Sequence, residues 1–265
     1  MNLFIKLILF TIILYKTPLS SQEDIISAVE NKYRSEENVK RDKFRNPIET
    51  LEFFGLSKNL KVLEITPGRG WYTEILSHYM KNSNNFYVAT YKQPPFAEEI
   101  ITKIQKEFYN YFNINREKFG DFKTIYIDKN LNFDSKESYF DIILTFRNTH
   151  NFLNHNKSEN ILNSIHKALK PGGVLGVVQH RADESLIKNF EKGYVKESFL
   201  IDHIQKQGFE LVERSNINQN TKDLKNYKKG VWSLPPRYAN GKENKDYFKS
   251  IGESDRMTLK FRKNK

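Results

Sequence analysis

The stretch VLEITPGRGWYTEIL, residues Val62–Leu76, decides how the rest of this chain is interpreted. A short apolar run suited to a buried strand leads into a turn that contains Gly68 and Gly70, and the residues after the turn have helical spacing. A strand, a glycine-containing turn and a helix with free N–H groups at its start hold many nucleotide-type cofactors. A dinucleotide-binding turn has the pattern G-x-G-x-x-G, however, and Thr66 and Thr73 stand where glycines are expected. Taken alone, the stretch fits either a cofactor loop or an ordinary strand-to-helix turn.

The composition fits one domain with a substantial core, because 265 residues with 38% hydrophobic content show no break that divides the chain. A formal charge of +11 favours anionic partners. The lysines are scattered, and no basic run with interleaved aromatic residues stands out, so no nucleic-acid partner is expected. The absence of cysteine excludes disulfides, thiolate zinc sites and a cysteine nucleophile.

The first 21 residues differ from the remainder. A lysine near the front precedes an apolar run, Leu7–Tyr15, which is followed by Pro18 and the small residues Ser20 and Ser21. This pattern predicts a secretory signal peptide, and the run is shorter than the roughly 20 apolar residues of a membrane-spanning helix. An uncleaved N-terminal anchor is the alternative. We therefore expect an exported protein, either periplasmic or tethered to the membrane.

Beyond a polar, mostly helical arm over residues 22–55, which we expect Pro47 to end, apolar runs alternate with helical segments. The runs suited to buried strands are Leu60–Thr66, Phe86–Tyr91, Thr124–Ile127, Tyr139–Phe146, Val174–Gln179, Phe209–Ser215 and Met257–Phe261. Segments with helical spacing between the first five include Trp71–Met80, Glu98–Phe112 and Ser158–Leu169. This alternation predicts an α/β fold with a parallel sheet covered on both faces. About forty residues without a clear helix join the last two runs, so we expect the final strand to be antiparallel.

Several motifs together resemble the class I S-adenosylmethionine-dependent methyltransferases. They are Glu64-x-Thr66-x-Gly68-x-Gly70 on the first strand, FDIIL at residues 140–144 and LKPGG at residues 169–173. A closer resemblance, to a bacterial group of methyltransferases that often carry signal peptides, spans about Arg41 to Arg262. Its motifs are Arg41-Asp42 with Arg45 and Pro47, GWYTEIL, LTFRNTHNF, LKPGGVLGVVQHRA, GYVKESF, GVWSLPP and GESDRMTLKF.

The resemblance implies a Rossmann-like seven-stranded sheet of order 3-2-1-4-5-7-6, with strand 7 antiparallel, over residues 56–265. It implies S-adenosylmethionine as cofactor, lying across the ends of strands 1, 2 and 4, and a small-molecule or peptide-like methyl acceptor. The cofactor-binding residues that it indicates are Glu64, Thr66, Gly68, Gly70, Tyr91, Asp128 and Arg147. One departure stands out: strand 2 of such enzymes ends in an acidic residue for the ribose hydroxyls, whereas here it ends Ala89-Thr90-Tyr91-Lys92. Either Thr90 or Tyr91 supplies a hydroxyl instead, or the cofactor is held more weakly.

Several polar residues directly follow the fourth and fifth predicted strands. Core packing does not explain polar side chains at these positions. Asn148, His150 and His180 are the catalytic candidates, since methyl transfer needs an aligned nucleophile and, for some acceptors, a base. The ordinary pKa of histidine suits a base, although a structural role for His150 is equally consistent with the pattern. Arg181 is expected to pair with a carboxylate such as Asp255 or Glu253, and the alternative is a bidentate contact with an anionic substrate.

Aromatic side chains near the predicted site are candidates for contacts with the sulfonium. A cation over an aromatic face gains ~0.5–2 kcal/mol, and Trp71, Tyr72 and Phe146 are suitably placed. Trp232, in the GVWSLPP motif, is a candidate for lining the acceptor pocket or for a lid. No histidine spacing typical of a metal site is present, so no metal is expected.

Three functional hypotheses remain at this point. The first is an exported methyltransferase. The second is an exported non-catalytic binding protein on the same fold, favoured by the missing acid on strand 2 and by the cytoplasmic origin of the cofactor. The third, a nicotinamide-dependent oxidoreductase, is weakened by the absent glycine.

Overall fold

The computed structural model describes residues 19–185 and 190–264. The predicted signal peptide, residues 1–21, lies outside the described residues except for its last three, which begin the first helix. None of the helices in the described ranges combines the length and the apolar character needed to cross a membrane.

A single seven-stranded sheet organises the chain. Its strands are β1 (Val62–Ile65), β2 (Phe86–Tyr91), β3 (Lys123–Ile127), β4 (Phe140–Phe146), β5 (Leu169–His180), β6 (Phe209–Ser215) and β7 (Arg256–Lys263). Their order is β3-β2-β1-β4-β5-β7-β6, and β7 runs antiparallel to both of its neighbours. The predicted α/β class, strand order and antiparallel last strand are all confirmed.

Helices cover both faces of the sheet. The described residues form α1 (Leu19–Val29), α2 (Glu36–Val39), α3 (Pro47–Phe54), α4 (Trp71–Tyr79), α5 (Glu98–Ile114), α6 (Arg116–Phe119), α7 (Thr149–Asn154), α8 (Ser158–Ala168), α9 (Glu197–Gln205) and α10 (Lys245–Ile251). Apolar residues of α1, α3, α4 and α5 pack with alternate strand residues such as Val88 and Leu144. Residues of α7, α8 and α9 pack on the other face, against Ile143 and Val177. The period-2 alternation of strand side chains therefore feeds two separate cores.

The segment before the sheet is only partly helical, and Pro47 begins a helix instead of ending one. Proline is well suited to the first position of a helix, where its missing N–H costs no hydrogen bond. Leu51 and Phe54 of α3 are fully buried against the sheet. Before α3 the chain is fixed by Arg34, whose buried guanidinium donates to both carboxylate oxygens of Asp42 at 2.7 and 2.8 Å. Residues 22–55 thus share a core with the sheet.

Two further elements differ from the sequence-based expectation. Strand β5 begins at Leu169, because Leu169 pairs with Phe140 before an irregularity in the register restores pairing at Val174. The LKPGG segment is therefore part of the strand. The long connection from β6 to β7 contains α10, which the polar composition of this segment hides, since among its residues only Phe248 and Ile251 are buried.

Gly176 of β5 allows α3 to lie directly on the sheet. A Cβ at this position would approach Leu144 Cδ2 to 2.6 Å and Phe54 Cδ1 to 2.8 Å. Both neighbours are fully buried, and well-packed cores resist added volume.

We expect Gly176→Ala to lower the free energy of unfolding by about 1–3 kcal/mol, the usual cost of overpacking. Urea unfolding followed by circular dichroism measures this loss. Phe54→Leu in the same chain removes the ring atoms that the new methyl meets, so the double variant should lose less stability than the sum of the single losses. Strict additivity would show that the contact is not the cause.

Candidate functional site

The turn after β1 holds three residues in the left-handed backbone region. Thr66, Gly68 and Gly70 have φ values of 47°, 62° and 83°. Thr66 occupies the place where the family pattern has a glycine, and a β-branched residue in this conformation costs roughly 1–3 kcal/mol. The chain retains the glycine-type backbone at this position without the glycine, and such strain is typical of functional sites.

The two glycines of this turn have different structural roles. A Cβ at Gly68 would meet no atom within 4 Å, so this position borders open space. A Cβ at Gly70 would collide with the Phe112 ring and come within 3.0 Å of Phe108 on α5. Gly70 therefore permits close packing of α4 on α5, and Gly68 is the glycine that leaves room for a ligand.

Glu64 lies beneath this turn and is 2% exposed. Its carboxylate accepts a hydrogen bond from the Thr73 hydroxyl at 2.7 Å. Burial raises the pKa of Glu64 to about 8, although the bond from Thr73 lowers it. The hydrogen bond to Glu64 thus explains why a threonine stands at position 73. Glu64 is an ionisable group with a pKa of about 8.

Asn148 joins the turn after β1 to the end of β4. Its amide donates to the carbonyl of Thr66 at 2.9 Å and to the carbonyl of Phe146 at 3.1 Å. These two bonds hold the strained Thr66 backbone against the neighbouring strand. The geometry gives this catalytic candidate a positioning role at the edge of the sheet.

The side chains that were predicted to bind the cofactor at the ends of β2 and β3 mostly contact other residues of the chain. The buried Thr90 hydroxyl lies 2.7 Å from the hydroxyl of Tyr109 on α5. The Tyr91 ring is buried in an edge-on contact with Phe96, at 5.8 Å between centroids. Asp128 is exposed, and one of its oxygens accepts the N–H groups of Asn130 and Asn132 at 2.8 and 2.9 Å. Thr90 therefore faces α5, and the Asp128 carboxylate orders its own loop.

A buried group of arginines surrounds Glu253 just before β7. Arg41 donates to one carboxylate oxygen at 2.5 Å, and Arg45 and Arg256 donate to the other at 3.1 and 2.5 Å. Arg45, Arg256 and Glu253 are between 1% and 3% exposed. Although burial alone would raise the pKa of Glu253, the arginines, with Arg147, hold it well below its ordinary value. The carboxylate therefore stays ionised.

This group was not identified as a site from the sequence, although its members lie in motifs that carry the family resemblance. Arg45 has two terminal nitrogens, Nη1 and Nη2, that are buried and make no hydrogen bond with any described residue. Burial, followed by the nearby charge of Arg147, lowers the pKa of Arg45. Arg147 itself is half-buried, directly follows β4 and has a left-handed φ of 61°.

The hydrogen bonds around His150 define its protonation. The amide nitrogen of Gln179 donates to the carbonyl of Gly193 at 2.8 Å, and its oxygen accepts from the Thr149 hydroxyl, which fixes the orientation of the amide. The same nitrogen lies 3.2 Å from His150 Nδ1, which must therefore accept. In the neutral ring the proton sits on Nε2, which is buried without a partner among the described residues.

Burial lowers the pKa of His150 to about 4. The imidazole is consequently neutral at physiological pH, and it presents an N–H donor instead of a free lone pair. His180, at the end of β5, lies with Nδ1 2.5 Å from the Ser254 hydroxyl, and burial lowers its pKa as well. The two rings are 5.7 Å apart between centroids. The structure thus brings both predicted histidines together at one edge of the sheet.

The aromatic residues near this edge make three separate contacts. Tyr72 and Phe146 stack in parallel with 3.6 Å between their centroids. Trp71 carries the guanidinium of Arg45 over its ring at 4.5 Å. Trp232 is 39% exposed, and its ring lies 5.7 Å from that of His150. Trp232 therefore stands at the solvent side of the buried histidines.

Arg181 makes the structural contacts that were expected of it. It pairs with Glu197 at 3.2 Å and with Asp255 at 3.9 Å, and it donates to the carbonyl of Arg256 at 3.0 Å. These contacts join the end of β5 to α9 and to the start of β7.

No protein-family model matches this chain, and a search of curated proteins finds no match. Solved structures do resemble it. The [4+2]-cyclase SpnF is 14% identical, with 92% of this chain and 96% of that chain covered at a TM-score of 0.60. A SAM-dependent methyltransferase from Aquifex aeolicus is 14% identical, covering 71% and 94% at 0.54. The glycopeptide N-methyltransferase MtfA, complexed with S-adenosyl-L-methionine, is 11% identical, covering 82% and 86% at 0.53. At these identities the likeness shows a methyltransferase-type Rossmann-like fold.

Glu253 is expected to be indispensable for stability. Glu253→Gln leaves buried arginine charges uncompensated, which typically costs about 3–5 kcal/mol. Because the folded pKa of Glu253 is depressed, its stabilisation is present above its ordinary value of 4.5 and is lost as pH falls. Urea unfolding should therefore show a large gap between wild type and variant at pH 7 and a smaller gap at pH 3. The exposed Glu243→Gln is the control, and an equal loss in both variants would contradict the role of Glu253.

Glu64 is expected to make stability fall as pH rises. Its folded pKa is raised to about 8, so the stabilisation is complete below the ordinary value of 4.5 and disappears through about pH 8. Glu64→Gln removes this ionisation, and the variant should gain about 2 kcal/mol relative to wild type between pH 6 and pH 8. Thermal unfolding across this range measures the gain. The exposed Glu99→Gln should give no such trend, and a pH-independent difference for Glu64→Gln would refute the assignment.

Proposed function

We propose that this protein binds S-adenosylmethionine and transfers its methyl group to a small-molecule or peptide-like acceptor. The observation that carries the proposal is the turn after β1, where Gly68 borders open space beside a strained Thr66 on a methyltransferase-type sheet. In open α/β sheets, ligands bind at the carboxyl ends of the strands. The named activities of the similar structures, methyl transfer and cyclisation, belong to those proteins, so the fold alone does not fix the reaction.

The residues at this edge fit the cofactor in chemical type. The backbone at Gly68 permits close approach of a ligand, and the start of α4 supplies N–H groups. Tyr91 and Asp128 remain the candidates on the ribose and adenine side. Arg147, which the family resemblance indicated for the cofactor, lies beyond β4, three residues from His150, and is assigned to the acceptor side instead. When bound, the cofactor supplies an electrophilic methyl group on a sulfonium.

The chain's own residues align the acceptor and exclude water. His150, neutral and with its proton on Nε2, acts as a hydrogen-bond donor to the acceptor instead of as a general base. The arginine charges at this edge favour the anionic form of an acceptor, which lowers the need for a base. This role replaces the base hypothesis for His150, while Asn148 and His180 position their neighbours through Thr66 and Ser254.

An exported, non-catalytic binding protein on the same fold is the second candidate. The end of β2 favours it, because Thr90 is bonded to Tyr109 and no acidic residue is present to hold a ribose. Export to the periplasm or attachment to the membrane in a bacterium, through residues 1–21, also remains part of the proposal. An exported enzyme would need cofactor from the cytoplasm.

Calorimetric titration of the chain from residue 22 with S-adenosylmethionine and S-adenosylhomocysteine tests the function directly. Saturable binding of both is expected. Gly68→Val should abolish it, because a branched side chain fills the space that the ligand needs. Gly172→Val is a matched control, since Gly172 also has a positive φ, 77°, and open space where a Cβ would stand, but lies at the opposite end of the sheet.

Two outcomes would contradict the proposal. Absence of heat at millimolar ligand would remove the methyltransferase hypothesis. Loss of binding in both glycine variants would show that backbone strain, and not the space beside Gly68, explains the effect.

A further inference from the structure

Several buried donor atoms near the ends of β4 and β5 have no acceptor among the described residues. They include Nη1 and Nη2 of Arg45 and Nε2 of His150. Arg45 is 1% exposed and His150 is 2% exposed. A buried donor without an acceptor costs about 1–3 kcal/mol, and more when it is charged, so native proteins rarely keep several in one place without a ligand.

Charge in the same region is also unbalanced. Glu253 is the carboxylate that meets Arg41, Arg45 and Arg256, and its two oxygens accept one bond from each of them. Arg147 adds a further cation, for which the structure gives no ion pair within the described residues. Three guanidinium groups thus share one carboxylate, the charge of Arg147 acts on the same carboxylate, and Nη1 and Nη2 of Arg45 have no acceptor among the described residues.

The free donors and the unpaired cation lie close to one another. Arg147 is three residues from His150, on the chain that leaves β4. The His150 ring lies 5.7 Å from the His180 ring, and His180 Nδ1 is 2.5 Å from the hydroxyl of Ser254. Glu253, the neighbour of Ser254 in sequence, accepts the bond from Arg45. The three groups therefore lie at the same carboxyl edge of the sheet, and the charge of Arg147 lowers the pKa of both His150 and Arg45.

We propose that Arg45, Arg147 and His150 form a subsite that binds a carboxylate group of the methyl acceptor. A guanidinium fork and a carboxylate match in a planar, two-bond geometry, and the His150 N–H supplies a third donor. The inference rests on the proposed function and names the chemical class of its substrate.

Position assigns the subsite to the acceptor. Its residues lie at the edge where β4 and β5 end and β7 begins. They are farther along the sheet than the Gly68 turn, which follows β1. Trp232, from the connection between β6 and β7, borders His150 and is partly exposed, so it forms a wall next to solvent. An acceptor with a carboxylate beside an aromatic or apolar part fits this arrangement.

The chain's two tryptophans report on this subsite directly. Trp71 lies under the Arg45 guanidinium, and Trp232 lies beside the His150 ring. The chain from residue 22, saturated with S-adenosylhomocysteine, is titrated with benzoate and N-acetylglycine at constant ionic strength, and intrinsic fluorescence is recorded. Benzamide and N-acetylglycinamide are the neutral counterparts. We expect a saturable response to the carboxylates, with apparent affinity for the amides weaker by about tenfold or more.

Two variants locate the binding. Arg45→Gln and Arg147→Gln should each weaken carboxylate binding by about tenfold or more, while the exposed Arg237→Gln should leave it unchanged. Because Arg45 also bonds Glu253, circular dichroism must show that its variant is folded. Arg147, half-buried and outside those bonds, keeps the test decisive if that variant does not fold.

Further titrations separate the possible failures. No response to either carboxylate, equal binding by both glutamine variants and wild type, or preference for inorganic phosphate would overturn the proposal. Loss of S-adenosylhomocysteine affinity in Arg45→Gln, with 5′-methylthioadenosine affinity retained, would assign the subsite to the cofactor's own carboxylate and also overturn it. If S-adenosylhomocysteine does not bind wild type, the proposed function fails, and carboxylate binding by the ligand-free protein still decides whether the anion subsite exists.

Discussion

The ionised carboxylate of Glu253 is the interaction on which the rest of the structure depends. It joins arginines from the segment before α3 to Arg256 at the start of β7, although more than 200 residues separate Arg41 and Arg45 from it. A buried ion group of this kind is stabilising only when its partners are all present. The N-terminal segment and the last strand are thereby fixed to each other, and the edge of the sheet between them acquires its charge.

Two other features of the same edge lower the stability of the folded protein. Thr66 has a backbone conformation that suits glycine, and His150 holds a buried N–H without an acceptor among the described residues. Asn148 restrains the first through the Thr66 carbonyl, and Gln179 fixes the second through Nδ1. A strained residue, an unpaired donor and buried positive charge therefore occur together at the carboxyl ends of the strands, where ligands bind in this class of sheet. The two well-packed apolar cores supply the stability that offsets these free-energy costs.

Much of the fold was predictable because strand periodicity and apolar runs depend on local chemistry. All seven strands were located from the sequence, and the antiparallel β7 was expected from the long connection before it. The failures are equally physical. Pro47 suits the first turn of a helix as well as the end of one, and α10 buries too few apolar residues to be recognised.

The sequence by itself determined the α/β class, the sheet order through its family resemblance, and the glycine turn after β1. It also placed His150 and His180 at one edge, because residues that follow parallel strands meet there. Only the tertiary structure decided that Gly70 serves packing whereas Gly68 borders open space, and that His150 presents a donor. Those properties depend on atoms contributed by segments that are distant in sequence. Such atoms set the pKa of a buried side chain and supply the partners of its hydrogen bonds, and the local sequence does not encode them.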